Sequence, residues 1–203
     1  MLKSVKQIDD KFNELLKYSN DKLKNFDRIF ISTSLGRMSS VIFILAKELK
    51  INFDTYWVDT GLNSINTLNY KKYLQNRFKI KIQRLKSNYL DFYLNDHDLP
   101  DRSLKNPAFI SLCNEIKIKP LEKHLASNNY DIWISNLNKF ENSERQNLNM
   151  FEKKKNFMKY YPFLNWSKKE VFYLTKLFDI KLNENYHDFC KIDDNECGIH
   201  YIK

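Results

Sequence analysis

Cys197 and His200 stand three residues apart in the segment Glu196-Cys197-Gly198-Ile199-His200. A thiol attacks only as its thiolate, and a nearby cationic side chain lowers its pKa. His200 is therefore spaced either to favour ionised Cys197 or to act on the oxygens of the group under attack. The pair points to nucleophilic or redox chemistry at one sulfur. Two plainer readings stand beside it: a cysteine in a polar segment can be incidental, and Cys190 with Cys197 could form a local redox pair.

Other residues offer places to hold an anion. The chain has only three glycines, Gly36, Gly61 and Gly198, against about 7% in an average protein, so their positions carry information. Gly36 closes Ser32-Thr33-Ser34-Leu35-Gly36, three hydroxyls and successive backbone N–H groups ahead of an apolar helical pattern. Such a turn suits a phosphate at a helix N-terminus, and equally an ordinary capped strand-to-helix turn. No Gly-Lys-Ser/Thr ending follows, so it is not a Walker A loop. Asp59-Thr60-Gly61 offers a carboxylate and free backbone to a base or ribose, or is a plain turn. Arg145, in Ser143-Glu144-Arg145, could clamp sulfate or phosphate with its guanidinium fork; isolated, it also fits the surface. Cys113 precedes Lys117 and Lys119 and reads as a buried cysteine beside a solvated helix face.

These residues need a frame. Val5, Ile8, Phe12, Leu15 and Leu16 predict an amphipathic helix over about the first twenty residues. Residues 28–32, 53–58, 80–85 and 130–135 predict strands, separated by helical patterns at 38–49 and 65–78 and by a helix near Pro120 running to about 126. Ser167 and Glu170 form a capping box ahead of an apolar run at 171–178. Strands alternating with helices predict a single α/β domain with a mostly parallel, twisted sheet flanked by helices. From residue 183 the chain is polar and irregular, which predicts a mobile C-terminal tail. The expected division is 1–182 for the nucleotide-binding domain and 183–203 for the tail carrying Cys197.

Bulk properties narrow the class. With 42% hydrophobic residues among 203, the chain can build a sizeable core. No stretch approaches the ~20 apolar residues that cross a bilayer, and the first residues lack a signal-peptide core, so the cytoplasm is the expected location and no membrane partner is expected. A net charge of +9 suggests an anionic partner. No arginine-rich run or basic–aromatic repeat appears, so nucleic acid is not the expected one. Three cysteines are too few for a disulfide framework or a four-thiolate metal site.

Taken together, these segments resemble the phosphoadenosine phosphosulfate reductases and adenylyl-sulfate reductases, of the adenine-nucleotide α-hydrolase-like (PP-loop) superfamily. The resemblance runs from about Phe26 to His200. Ser32-Thr33-Ser34-Leu35-Gly36 matches the family's Ser-Ser-Phe-Gly phosphate loop, and Asp59-Thr60-Gly61 its Asp-Thr-Gly. Lys117-Ile118-Lys119-Pro120-Leu121 matches Lys-Val-Glu-Pro-Leu, and Glu196-Cys197-Gly198-Ile199-His200 matches Glu-Cys-Gly-Leu-His. The last motif is the most specific. The resemblance implies that Cys197 attacks the sulfate sulfur of a sulfated adenine nucleotide, forming an S-sulfocysteine, and that thioredoxin or glutaredoxin then frees sulfite. Lys117, Arg145 and His200 are the expected holders of the phosphosulfate charge. Homodimers are a further implication.

Departures from the family pattern refine these expectations. ATP pyrophosphatases of the superfamily carry Ser-Gly-Gly-x-Asp-Ser, and this loop lacks the second glycine and the aspartate. The iron–sulfur reductases carry a Cys-Cys pair and a Cys-x-x-Cys; here Leu112 replaces the first cysteine and Cys190 has no partner at that spacing. No iron–sulfur cluster and no other bound cofactor or metal is expected. The cluster-free branch generally takes the 3′-phosphorylated substrate. The Gly-Leu-Arg-Arg-x-Gln-Ser segment is Asn136-Leu137-Asn138-Lys139-Phe140-Glu141-Asn142, which loses two arginines and the glutamine and leaves Lys139, with Arg145 just beyond it, as the surviving cations. The stretch before the Cys197 motif is shorter than usual, and Lys119 replaces a glutamate. The alternatives are a nucleotide-binding homologue that no longer turns over, and a PP-loop enzyme of sulfur transfer or tRNA modification.

Overall fold

The computed structural model describes residues 5–141, 143–184 and 186–192. At its centre is β1 (Ile29–Ser32), whose alternation sends Ile29 and Ile31 into the main core and Phe30 into a smaller cluster on the opposite face. A strand buried on both faces belongs inside a parallel sheet. β1 pairs in parallel with β2 (Asp54–Asp59) on one side and β4 (Ile132–Ser135) on the other. β3 (Ile82–Lys86) continues in parallel beside β2. Beyond β4 lie β6 (Met158–Tyr160), parallel to it, and β5 (Phe151–Lys153), antiparallel at the edge.

The order of the six strands is β3-β2-β1-β4-β6-β5. Chain progression reverses between β1 and β4, and in open α/β sheets the crevice outside the carboxyl ends at such a reversal is the ligand site. The four expected strands all form, each beginning or ending within two residues of its expected bounds. The β5–β6 hairpin was not anticipated, because three-residue strands are too short to register a period of two.

Helices cover both faces, as the α/β reading expected. α1 (Val5–Leu23) buries Ile8, Phe12, Leu15, Ser19 and Leu23 along one stripe, and Phe12 meets Trp166 and Phe178 edge-on at 6.3 and 5.7 Å. α2 (Val41–Glu48) is buried at every position from Val41 to Ala46, the pattern of a core helix with no solvent face. α3 (Ile65–Phe78) adds Tyr70 and Leu74 to the same core. Further along the chain, α7 (Lys168–Leu177) starts at the expected capping box. Ser167 Oγ accepts from Glu170 N–H at 3.2 Å and Glu170 Oε2 accepts from Ser167 N–H at 2.7 Å. Lys11 donates to the same carboxylate at 3.0 Å and ties α1 to α7. None of the helices among the described residues is long and apolar enough to cross a membrane.

Between β3 and β4 the chain holds α4 (Tyr89–Asp96), then one continuous helical run of α5 (Pro107–Cys113), a π-helical turn (Asn114–Ile118) and α6 (Lys119–Ala126). Sequence reasoning placed a helix only from about Pro120. Pro120 has no N–H to offer the carbonyl four residues back, and its ring crowds that carbonyl. The preceding turn widens instead, with Lys119 N–H bonding to the carbonyl of Asn114. Turns of this kind often mark functional positions, and this one carries Lys117.

Candidate functional site

A cavity of about 340 Å³ opens at the carboxyl ends of β1, β2 and β4. Ser32, Thr33 and Ser34 line it from the first strand-to-helix turn, Thr60 from the second, Lys117 from the π-helical turn, and Arg145 from the 3-10 turn Ser143–Asn147. Of the sequence-assigned binding residues, these six share one space.

The first turn is shaped by its own hydroxyls. Ser32 Oγ accepts from Trp133 Nε1–H at 2.7 Å, Thr33 Oγ1 from Leu35 N–H at 3.1 Å, and Ser34 Oγ from Gly36 N–H at 3.3 Å. Each hydroxyl acts as acceptor and still has a proton to donate. The left-handed residue is Leu35, at φ 58°, rather than Gly36. Its full burial in the main core, worth ~1.5–3 kcal/mol, offsets the ~1–2 kcal/mol that handedness costs an L-residue. Gly36 serves close approach: a Cβ there would lie 3.2 Å from Ser34 Oγ and 3.4 Å from Tyr186 Cε1.

In the second turn Asp59 is 6% exposed and faces its own backbone. Its Oδ1 accepts from Gly61 N–H at 2.9 Å and Asn63 Nδ2 at 2.8 Å, and its Oδ2 pairs with Arg84 at 2.5 Å. The carboxylate thus holds the turn that presents Thr60. Gly61 sits at φ 82°, and a Cβ there would come within 2.7 Å of Leu90 Cδ2. Gly61→Ala combines left-handed strain (~1–2 kcal/mol) with overpacking (~1–3 kcal/mol). Denaturant unfolding should register a loss of about 2–5 kcal/mol, and an unchanged midpoint would contradict this geometry.

The cations are engaged. Lys117 Nζ lies 2.5 Å from Asp188 Oδ2, with side chains 18% and 8% exposed. Asp188 also accepts from Cys190 N–H at 3.0 Å and from Tyr186 Oη–H at 3.1 Å. Burial works to raise the Asp188 pKa, but the Lys117 ammonium overcomes it and holds the carboxyl below its ordinary value. Burial, reinforced by the Asp188 charge, pushes the Tyr186 phenol up. Arg145 is 1% exposed and its Nη1 donates to the carbonyl of Asn138 at 3.5 Å. Lys139 opens the neighbouring turn Lys139–Glu141 with its N–H on the carbonyl of Leu164, and it is not among the residues lining the cavity.

Several lining residues escaped sequence reasoning. Trp133 and Leu121, from the smaller cluster, and Trp57, whose side chain is buried in the main core on the opposite face, also line it, and Glu152, Lys154 and Lys159 enter from the β5–β6 hairpin. Lys159 Nζ sits 4.3 Å from the centre of the Trp133 ring, and its pKa is lowered by burial first and by Lys154 second. Alternation in Tyr130-Asp-Ile-Trp-Ile-Ser135 does put Trp133 opposite Ile132 and Ile134, a legible signal; Lys159 had none. A second cavity, of about 820 Å³, shares Ser32, Ser34, Tyr186 and Asp188 and carries the cations Arg37, Arg102, Lys168, Lys169 and Lys191. Cys197 and His200 lie outside the described residues. Among the described residues no group of three or more His, Cys, Asp or Glu is placed to hold a metal.

The sequence model of the phosphoadenosine phosphosulfate reductase domain matches residues 28–191. An uncharacterised protein of Methanocaldococcus jannaschii is 25% identical over 189 residues, 90% of this chain and 44% of that one. A phosphoadenosine 5′-phosphosulfate reductase of Synechocystis sp. is 23% identical over 162 residues, 79% of this chain and 64% of that one. The chain thus spans less than two thirds of the length of these curated relatives. In fold it is similar to a phosphoadenylyl-sulfate reductase from Candida auris in a phosphate complex, with a TM-score of 0.66 at 16% identity, covering 91% of this chain and 92% of that one. It is also similar to the U34-tRNA thiolase NcsA of Methanococcus maripaludis with its [4Fe-4S] cluster, with a TM-score of 0.63 at 16% identity, covering 96% and 69%.

Proposed function

The chain belongs to the phosphoadenosine phosphosulfate reductase domain family, and on that premise we propose that it is a sulfonucleotide reductase with Cys197 as its thiol. Phosphoadenosine phosphosulfate is the proposed substrate and thioredoxin or glutaredoxin the proposed reductant, in the cytoplasm. The domain 1–182 binds the nucleotide, joined at the cavity by Tyr186 and Asp188, and the segment 183–203 brings the thiol. The observation that carries this reading is the convergence of Ser32, Thr33, Ser34, Thr60, Lys117 and Arg145 on one cavity at the β1–β4 reversal. The hydroxyl and cationic donors suit a phosphosulfate, and Trp133 and Leu121, which share the smaller cluster, offer an apolar surface that suits an adenine ring.

In the proposed reaction the Cys197 thiolate attacks the sulfate sulfur. The bond from that sulfur to the bridging oxygen breaks, its electron pair stays with the nucleotide phosphate, and the sulfonate remains on Cys197. A reductant thiolate then attacks Cys197 Sγ, sulfite leaves, and the reductant's second thiol resolves the mixed disulfide. Arg145 offers a planar fork to the developing negative charge, and His200 favours the thiolate. Lys117 meets the substrate already paired with Asp188, so the phosphosulfate either displaces that carboxylate or uses the ammonium's remaining protons.

The test is turnover. Protein supplied with reduced thioredoxin should release sulfite from phosphoadenosine phosphosulfate, in step with free nucleotide, and faster than from adenylyl sulfate. Nucleotide binding with no sulfite from either substrate would instead fit a binding protein that does not turn over, and would overturn the proposal.

A further inference from the structure

Two side chains of the helical run meet two side chains of the segment 186–192 in matched order. Cys113 and Lys117 are four residues apart, one turn along the junction of α5 and the π-helical turn. Asp188 and Cys190 are two apart. Lys117 pairs with Asp188 at 2.5 Å, and Cys113 and Cys190, the next members of the two series, are packed into the same buried cluster. Both sulfur-bearing residues are fully buried in one apolar cluster with Phe109, Leu112, Ile116 and Phe189. Arg102 fastens the same segment from outside, its guanidinium donating to the carbonyls of Phe189 and Lys191.

We propose that Cys113 and Cys190 form a reversible intramolecular disulfide that latches residues 186–192 onto the helical run. Neither thiol has a part in the sulfite-forming reaction proposed above, so the disulfide stands apart from it, and only its effect on nucleotide binding rests on that reading. The oxidant is an external disulfide, of glutathione or of a protein. One protein thiolate attacks it and expels the first external thiol, leaving a mixed disulfide. The second protein thiolate attacks the protein-side sulfur and expels the second, so two electrons and two protons pass from the protein to the external pair. The neighbouring Cys113 thiol, followed by burial, holds Cys190 above the ordinary thiol range. Exchange therefore proceeds only when the segment lifts, which makes it slow.

The latch bears on both cavities, because the segment it secures carries Tyr186 and Asp188 into each. Latched, Asp188 stays on Lys117 and competes with any incoming anion. Coupling of this kind typically changes affinity by about 5- to 150-fold, so the oxidised protein should bind adenosine 3′,5′-bisphosphate at least about fivefold more weakly than the reduced protein.

The test uses Cys197→Ser protein, which retains only the two thiols in question, incubated with oxidised glutathione, alkylated and digested without reduction. The expected product is a peptide pair joined through Cys113 and Cys190, with an intact mass two hydrogens lower, both reversed by dithiothreitol. Cys113→Ser in the same background should yield a glutathione adduct on Cys190 and no joined pair. Recovery of both cysteines in separate peptides, alkylated or glutathionylated, after incubation of the two-thiol protein would overturn the proposal.

Discussion

Cys197→Ser protein releases no measurable sulfite, a loss on the order of 10³-fold or more, while its affinity for adenosine 3′,5′-bisphosphate is unchanged. A serine hydroxyl does not ionise near neutrality, so no nucleophile reaches the sulfate sulfur. Nor can the hydroxyl form the bond to sulfur that the reductant later breaks. The affinity is expected to hold because Ser32, Thr33, Ser34, Thr60, Lys117 and Arg145 line the cavity without any contribution from Cys197. A sulfite assay with reduced thioredoxin, alongside calorimetric titration of the nucleotide, reads both halves. Sulfite release retained in the serine variant would move the chemistry to another residue.

The second large effect belongs to Arg145. It is among the largest fully buried side chains, at 1% exposure, and it lines the cavity. Losing one partner of a buried, hydrogen-bonded charge pair typically costs about 2–5 kcal/mol. Arg145→Met should therefore weaken binding of adenosine 3′,5′-bisphosphate by roughly 30- to several-thousand-fold. Arg145→Lys keeps the charge without the two-pronged fork and should fall between. Circular dichroism and denaturant unfolding separate this from loss of fold, since the Asn138 carbonyl also loses a donor, at about 1–3 kcal/mol. Lys139→Ala supplies the contrast. Both lysine and arginine were expected to hold the substrate, but only Arg145 lines the cavity, and Lys139→Ala, at a half-buried position off the cavity, should change the affinity by no more than about 0.5 kcal/mol. Equal losses in the two variants would mean that the cavity does not define the site.

How much of this was legible depended on whether the cause was local. The strands at 28–32 and 130–135 were readable because alternation within four to six residues already separates Ile29 and Ile31 from Phe30, and Ile132 and Ile134 from Trp133. The capping box at Ser167 and Glu170 was equally local. By contrast, α5 and the π-helical turn were missed. Pro120 reads as a helix opener by the usual rule, and only packing of Phe109, Leu112 and Ile116 around Phe189 keeps the helix running into it.

The same division runs through the site. Hydroxyls at Ser32 to Ser34 and at Thr60 follow from the logic of strand ends. The convergence of Trp57, Trp133, Lys154 and Lys159 depends on strand order, which sets the late hairpin beside β4. Gly36 was noticed for the right turn, but its reason is Tyr186, which arrives from 150 residues away. Residues from 183 onward read as a polar, irregular tail. Within the described part, Asn183 donates to the carbonyl of Leu35 at 2.9 Å, and Phe189 and Cys190 are buried. Polar residues there are partners for the first strand-to-helix turn and for Lys117, a role that no local pattern announces.

The most direct measurement is a single turnover without reductant. Protein is mixed with phosphoadenosine phosphosulfate, quenched and digested, and its three cysteine peptides are weighed by mass spectrometry. The account predicts one added sulfonate on the Cys197 peptide, none on those of Cys113 and Cys190, and its disappearance when reduced thioredoxin is added. No sulfonate on any peptide, or a sulfonate on Cys113 or Cys190 alone, would contradict it.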